Sequence, residues 1–534
     1  EVTLSGGSVD ESGDGVTMTV NVPAADAISI EQLANRTTSL ELALAADALL
    51  NQDGTGNDAL AYTADQSVSY TGDASAPTIT AVGYDADTDK LSVSFSEPVQ
   101  YDNITYTGLS LSDDEGTSEV TLSGGSVDEG SDGTAMTINV PTADAIALES
   151  FDDRATLLEL AVSAGAFRNQ DGTGIAAVAY GDNEGVVYTA DATAPTVSSV
   201  SYDAATNVLS VSLSEGVLYD NVTVSALYLS DDEGTTDIQL SASTVNESAD
   251  AQTITLSLSA AEALSVESLP NRGTQLELKL ATGAFQNQDG VDIAAVAYGD
   301  NQSVSYSADA SGPAFVSAGY DADADKLSIT FDEAVQYDAI TFTGISVSDD
   351  EGTTEVTLSG GSVDEGSDGT SMTVNVPAAD AISIEALDSR ASTLELKLAA
   401  ASFTNQDNTD NTLSSYTADN SVSYTADATA PTVTAAAYDA DTDKLTLDFS
   451  EAVRYDGITF TDIFLSGDEG TTQRGLSGGL SIDESGDGTQ MTITVGAADA
   501  IAIEQLAGRA GSLELRLNAG AFTNQDATDI GILQ

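Results

Sequence analysis

PTVTAAAYDADTDKLTLDFSEAV, Pro431 to Val453, decides the fold, because the same string in light disguise also begins at Pro77, Pro195 and Pro313. Each start lies 118 residues after the one before. Solenoid repeats are single supersecondary units of about 20 to 50 residues, whereas a self-sufficient β-sandwich needs about 100. The period therefore marks whole domains strung along one chain. Complete copies occupy 77–194, 195–312 and 313–430. Residues 1–76 begin in mid-repeat, since EVTLSGGSVDE at Glu1 recurs at Glu119 and Glu355; this copy is missing its opening strands. The last copy, 431–534, stops short of the segment that reads SVSYTADAT in its predecessor, so it lacks a closing strand.

Within a copy the dominant period is two, the mark of strands with one buried face. In 313–430, Leu327, Ile329 and Phe331 alternate with polar residues, as do Met372, Val374 and Val376, then Leu394, Leu396 and Leu398; Val422 and Tyr424 close the copy. Turn-forming clusters such as SDDEGTT at Ser348 and NQDNTD at Asn405 separate the strands. About seven strands per copy are expected, in two antiparallel sheets. In the first strand Ile79 has the opposite parity to Val82 and Tyr84, which predicts a bulge or a switch between sheets. One segment, PAADAISIEALDSR from Pro377 to Arg390, opens on Pro and reads as a short helix, with Ala379, Ile382 and Ala386 at helical spacing, although Ile382 and Ile384 would fit a strand equally well. Joints such as TADATAP, Thr189 to Pro195, are short and carry Pro, which favours an extended rod.

The charge is one-sided: 87 Asp and Glu against 14 Lys and Arg, for a formal net charge of -73. Nucleic acid and anionic membrane surfaces would be repelled, and cations attracted. There is no Cys and no His, which removes disulfides, thiolate metal sites, and the usual catalytic triads. No apolar run is long enough to be a membrane-spanning segment.

The combination of A-P-T-V, a Tyr-Asp hairpin, L-S-V-S-F-S-E-x-V and a later G-A-F-x-N-Q-D-G loop resembles the bacterial immunoglobulin-like tandem repeats of large extracellular surface proteins: adhesin extenders, S-layer proteins and filaments. The similarity runs through essentially the whole chain. It implies an all-β array of immunoglobulin-like sandwiches, at the cell surface, with a mechanical or spacer role. It also implies calcium as a cofactor stiffening the joints. The acids in the matching positions are those of the second strand (Glu97, Glu215, Glu333, Glu451), of the linker (Asp73, Asp191, Asp309, Asp427) and of the NQD loop (Asp53, Asp171, Asp289, Asp407, Asp526).

Calcium needs six to eight oxygens at one point. A joint would provide them if the NQD loop and linker Asp of one copy met the Tyr-Asp turn or the Ser-Glu of the next. The plainer reading of the same acids is a set of solvated turns on an acidic surface. A second series, Asp85, Asp87 and Asp89, resembles the start of an EF-hand loop. Lys90 and Ser96 stand where that loop requires Gly and Glu, so a polar hairpin turn is expected. The SDDEGT acids Asp113, Asp114 and Glu115 read as a loop tip, and the sequons at Asn103 and Asn221 as chance.

The expected function is therefore structural: a rod or filament for adhesion, spacing or coat building, with neighbouring copies of itself, further repeats and calcium as partners. A carbohydrate-binding array is the first alternative, disfavoured because there is no Trp. Polymerisation by strand exchange between chain ends is the second. An enzyme is the least expected, because paired acids occur in every copy and no copy departs sharply from the rest.

Overall fold

The computed structural model describes residues 1–63, 66–182, 185–300, 302–412, 414–478 and 480–533. The chain divides into two compact units, one made of residues 1–202, 206–262 and 271–306, the other of 203–205, 263–270 and 307–534.

In the first unit, residues 77–194 form a two-layer sandwich. One sheet runs, in spatial order, Val187–Thr189, Ile79–Asp85, Lys90–Val99, Gly133–Asn139, Ser126–Val127; the other runs Val120–Thr121, Leu109–Ser112, Glu159–Val162. That makes eight strands where about seven were expected, because the stretch after Ser112 pairs as two short pieces. All pairings are antiparallel except that of the first and last strands, Val187 opposite Gly83, which is parallel. The bulge read from the parity change lies between Ile79 and Ala81. Leu91, Val93 and Phe95 alternate inward, as do Met136 and Ile138 opposite them, and all are buried. Phe95 meets Phe167 edge-on at 4.7 Å in the centre of the core.

The same strands recur in 195–306, where Val208–Val217 pairs with Ala251–Ser257 and Leu227–Ser230 with Glu277–Leu280. Residues 1–76 carry only the later elements. Met18 and Leu42 are exposed there, while their equivalents Met136 and Leu160 are covered.

In the second unit, residues 313–430 repeat the five-stranded and three-stranded sheets, and 431–534 forms a four-stranded sheet with a three-stranded one. The helix expected after Pro377 spans Ala378–Glu385, with Pro377 ahead of it at φ -58°, and is followed by a four-residue helix, Arg390–Thr393. Its buried face differs from the one read from the sequence: Ala381, Ile384 and Glu385 turn inward, whereas Ala379 and Ala386 are exposed. The reason is polar. The Tyr320 hydroxyl, at the end of the first strand, donates to Glu385 Oε1 at 2.9 Å and draws that carboxyl under the sandwich.

Candidate functional site

The residues with most chemistry gather where one copy hands over to the next. Residues 77–194 and 195–306, both in the first unit, show how. The short helix Arg154–Leu157 follows the eight-residue helix Thr142–Glu149, and its first residue points along the chain. Arg154 Nη2 donates to Asp289 Oδ1 at 2.9 Å and to the Gln288 carbonyl, Nη1 to the Phe151 carbonyl, and Nε to the Tyr188 hydroxyl at 3.1 Å. That hydroxyl donates to Asp289 Oδ2 at 2.8 Å, and the Asp191 backbone N–H donates to the same oxygen at 2.7 Å. Both carboxylate oxygens of Asp289 are thus met, in a site where Arg154 and Asp289 keep only 13% and 10% of their side-chain exposure.

The clamp is rebuilt at two further joints, one in each unit. Arg36 and Tyr70 hold Asp171, with the Asp73 N–H at 2.6 Å. Arg390 and Tyr424 hold Asp526, with the Asp427 N–H at 2.7 Å. Asp407 likewise accepts the Asp309 N–H at 2.7 Å. Asp171 is held below the usual carboxylate range: burial pushes it up, but the Asp73 N–H, Tyr70 and Arg36 outweigh that.

Beside the clamp lies a second group of acids. Asp191 Oδ1 accepts the Thr193 N–H at 2.7 Å and Oδ2 accepts Asn287 Nδ2 at 3.1 Å. Asp87, at the hairpin tip, accepts the Thr193 hydroxyl at 2.6 Å, tying the linker to its own copy. Glu215, from the second strand of the following copy, is pushed up to about 9, first by burial and then by the neighbouring Asp191 carboxyl. Glu451 is raised to about 8 by burial and Asp427, Glu333 to about 8 by burial and Asp309, and Glu97 to about 7 by burial and Asp73. Asp427 is raised by burial and Asp323, whereas Asp309 is lowered because Ser311 outweighs its burial. One oxygen, Oε1, of each of Glu97, Glu215 and Glu451 is buried with no hydrogen-bond partner. A third acid, Glu149, sits under the copy's end. It accepts the Tyr84 hydroxyl at 2.7 Å, hydrogen-bonds Asp89, and is raised to about 8, mainly by burial.

These contacts revise the sequence reading. The NQD loop at a joint belongs to the following copy, not the preceding one. The nine acids nominated for calcium divide into two groups with different neighbours. Asp171 and Asp289, like Asp407 in part, are acceptors for protein donors. Asp191 with Glu215, Asp309 with Glu333, and Asp427 with Glu451 are carboxyl pairs. The residues do not fit calcium as they stand. Asn287 Oδ1 accepts the Val291 N–H at 2.8 Å, which fixes the amide so that its NH2, a donor, faces the carboxyls. Among the described residues no group of three or more carboxylates is placed to hold a metal ion.

The Asp85–Asp89 series is a hairpin turn, as expected, with Asp89 left-handed at φ 54°. The SDDEGT loop is a closed turn in which Asp114 Oδ1 accepts the Ser118 N–H, while Asp113 accepts the Asp153 N–H ahead of Arg154. The arginine and tyrosine of the clamp were not nominated from the sequence. Their signal was present: five of only 14 basic residues, Arg36, Arg154, Arg272, Arg390 and Arg509, share one register.

No family model matches the chain, and no curated protein matches it. Among solved structures, the N-terminal part of the bacterial S-layer protein SbsC aligns with 43% of this chain at 12% identity and a TM-score of 0.16. A longer SbsC structure covers 79% at 13% identity and 0.16, and a three-domain immunoglobulin fragment of titin covers 66% at 11% and 0.14. The chain spans 44% of the first structure's length, 63% of the second's and 99% of the third's. The complete copies are two-layer β-sandwiches by their own sheet order. Among the described residues no helix is long and apolar enough to cross a membrane.

Proposed function

We propose that this chain is a structural, non-enzymatic repeat protein that forms an extended extracellular array, used for adhesion, spacing or coat building at a cell surface. The observation that carries the reading is the repetition of the joint. Arg154, Tyr188 and Asp289 in one unit and Arg390, Tyr424 and Asp526 in the other make the same contacts to within about 0.1 Å. A binding or catalytic array varies its loops while keeping its core; here the handover between sandwiches is what is kept.

The resemblance supplies the surface setting. The acidic surface favours soluble, mutually repelling rods over sideways clumping. Stretching single full-length chains should give regularly spaced unfolding events, each releasing about 400 Å of chain for a 118-residue copy. Antibody against the chain should label intact cells that make it. Labelling only after permeabilisation, or one irregular unfolding event, would sink the reading.

A further inference from the structure

In each complete copy the chain enters along the first strand and leaves along the last, and the two are neighbours in one sheet. In 77–194 and 313–430 they run parallel, Tyr188 opposite Tyr84 and Tyr424 opposite Tyr320, so tension along the chain slides one past the other. The pairing runs on alike in all three copies to an N–H of the hairpin: Ala86 donates to the Thr189 carbonyl at 3.0 Å, Ala204 to Ser307 at 2.9 Å and Ala322 to Thr425 at 3.0 Å. What lies beyond differs. In 77–194 the hairpin-tip Asp87 Oδ1 accepts the Ala192 N–H at 3.3 Å, the Thr193 N–H at 3.1 Å and the Thr193 hydroxyl at 2.6 Å, out in the linker past Thr189. In 313–430 Asp323 Oδ1 accepts the Thr429 N–H at 3.1 Å and the Thr429 hydroxyl. In 195–312 the tip residue is Ala205, whose methyl accepts nothing, and the Ser311 hydroxyl turns to Asp309 of its own linker. The return strand of the hairpin differs in the same sense: Lys90 pairs with Asp128 at 2.7 Å and Lys326 with Asp364 at 2.6 Å, where 195–312 has Val208 and Asn246.

We propose that the hairpin-tip aspartate is a strap that carries load from the exit linker onto the body of its own copy, and that the unstrapped copy, 195–312, yields before 77–194 and 313–430 under tension. A pull on Thr193 must break charge-assisted hydrogen bonds to Asp87 before it reaches the Thr189 carbonyl, whereas a pull on Ser311 bears directly on Ser307. The closing strand is paired through only three residues in 77–194 and four in 313–430, so a few added bonds weigh heavily against its sliding. One weak copy in a row of similar ones lets the chain lengthen by a single copy before its strapped neighbours fail. This order of yielding is a property of the fold and holds whatever the array is used for.

The test stretches single full-length chains of three kinds: the parent, Ala205→Asp with Ser311→Thr, and Asp87→Ala with Asp323→Ala. The first variant installs the strap in 195–312 and should move one unfolding event to higher force. The second removes both straps and should move two events to lower force, down to the level of the event that the first variant shifts. No shift in the first variant, or a second variant whose events keep their forces, would overturn the proposal. Hydrogen exchange of the unstretched chain supplies a readout assigned to each copy. Val304–Ser307 should exchange roughly tenfold faster than Val187–Thr189 and Val422–Thr425, and the first variant should close that gap. Equal or better protection of Val304–Ser307 in the parent would equally overturn it.

Discussion

Asp289 and Asp191 lie at one joint and share a neighbouring backbone, yet the protein surrounds them in opposite ways. Asp289 meets a guanidinium, a hydroxyl and an N–H, so that both of its oxygens accept charge-assisted hydrogen bonds. Asp191 meets an N–H and an amide, and then another carboxyl. With 14 bases for 87 acids, most acids go without a positive partner. The few arginines are placed where an ion pair joins two sandwiches, while the glutamates Glu149, Glu215, Glu385 and Glu451 are pushed up chiefly by burial and hold their protons. A charged clamp and an uncharged latch thus work side by side, and they should respond differently to pH, salt and substitution.

The largest effect expected is that of pH on the latches. Glu149, Glu215, Glu385 and Glu451 keep their protons to about 8 or 9 when folded, against an ordinary 4.5. Between those limits the unfolded chain releases protons that the folded chain retains. Stability is therefore fully present below about 4.5, falls as pH rises through 8 and 9, and levels off above. Each such proton contributes a slope of up to about 1.4 kcal/mol per pH unit. Urea midpoints of the full chain measured across this window should fall steadily. High salt, which screens the acidic surface but not buried pairs, should leave most of the fall in place. A flat profile at high salt would mean that surface repulsion, not the latches, causes it.

The clamp should break with less total effect but more locally. Asp289→Ala leaves Arg154, the Tyr188 hydroxyl and the Asp191 N–H without their acceptor, and removing one partner of a buried pair costs about 3 to 5 kcal/mol. Hydrogen exchange should show lost protection in 187–195 and 286–293, with the strands Gly133–Asn139 and Ala251–Ser257 unchanged. Protection lost evenly across both copies would mean that the clamp holds the sandwiches themselves and not the joint.

Strand faces, the bulge at Ile79 and the hairpin turn were legible because burial on one side of a pleated strand imposes a period that no other structure shares. The helix after Pro377 was legible from its capping residue, but its inward face was not. Counting Ala and Ile along a helix assumes that only apolar residues turn in, and Glu385 turns in because Tyr320 waits for it. The joint was half legible. Repetition marked Asp191, Glu215 and Asp289 as a set, and carboxylates in a set suggest a cation. What assigns each acid its partner is three-dimensional: Arg154 lies 135 residues from Asp289, and Asn287 shows which way its amide points only once the Val291 N–H has claimed its oxygen. The sequence places the parallel first and last strands in one copy without saying that they pair.

The smallest effect expected is also the most specific, because the protein has already made the substitution once. Asp89, Asp325 and Asp443 occupy the left-handed position of the hairpin, at φ 54°, 56° and 57°; in 195–312 the residue is Asn207, at 56°. Asp89 and Asp325 hydrogen-bond the buried glutamates Glu149 and Glu385, and Glu267 shares their register. An amide offers a donor at every pH, where a carboxyl does so only while protonated. Asp89→Asn and Asp325→Asn should therefore be nearly neutral at about pH 5 and stabilise their own copies by on the order of 1 kcal/mol at about pH 8. Both residues suit the left-handed turn, so backbone strain does not enter. Proton-dependent exchange rates in Gly133–Asn139 and Gly369–Asn375 would separate the two copies. If both substitutions act equally at all pH values, the Asp89 pair is an ordinary polar contact and the latches are confined to the linkers.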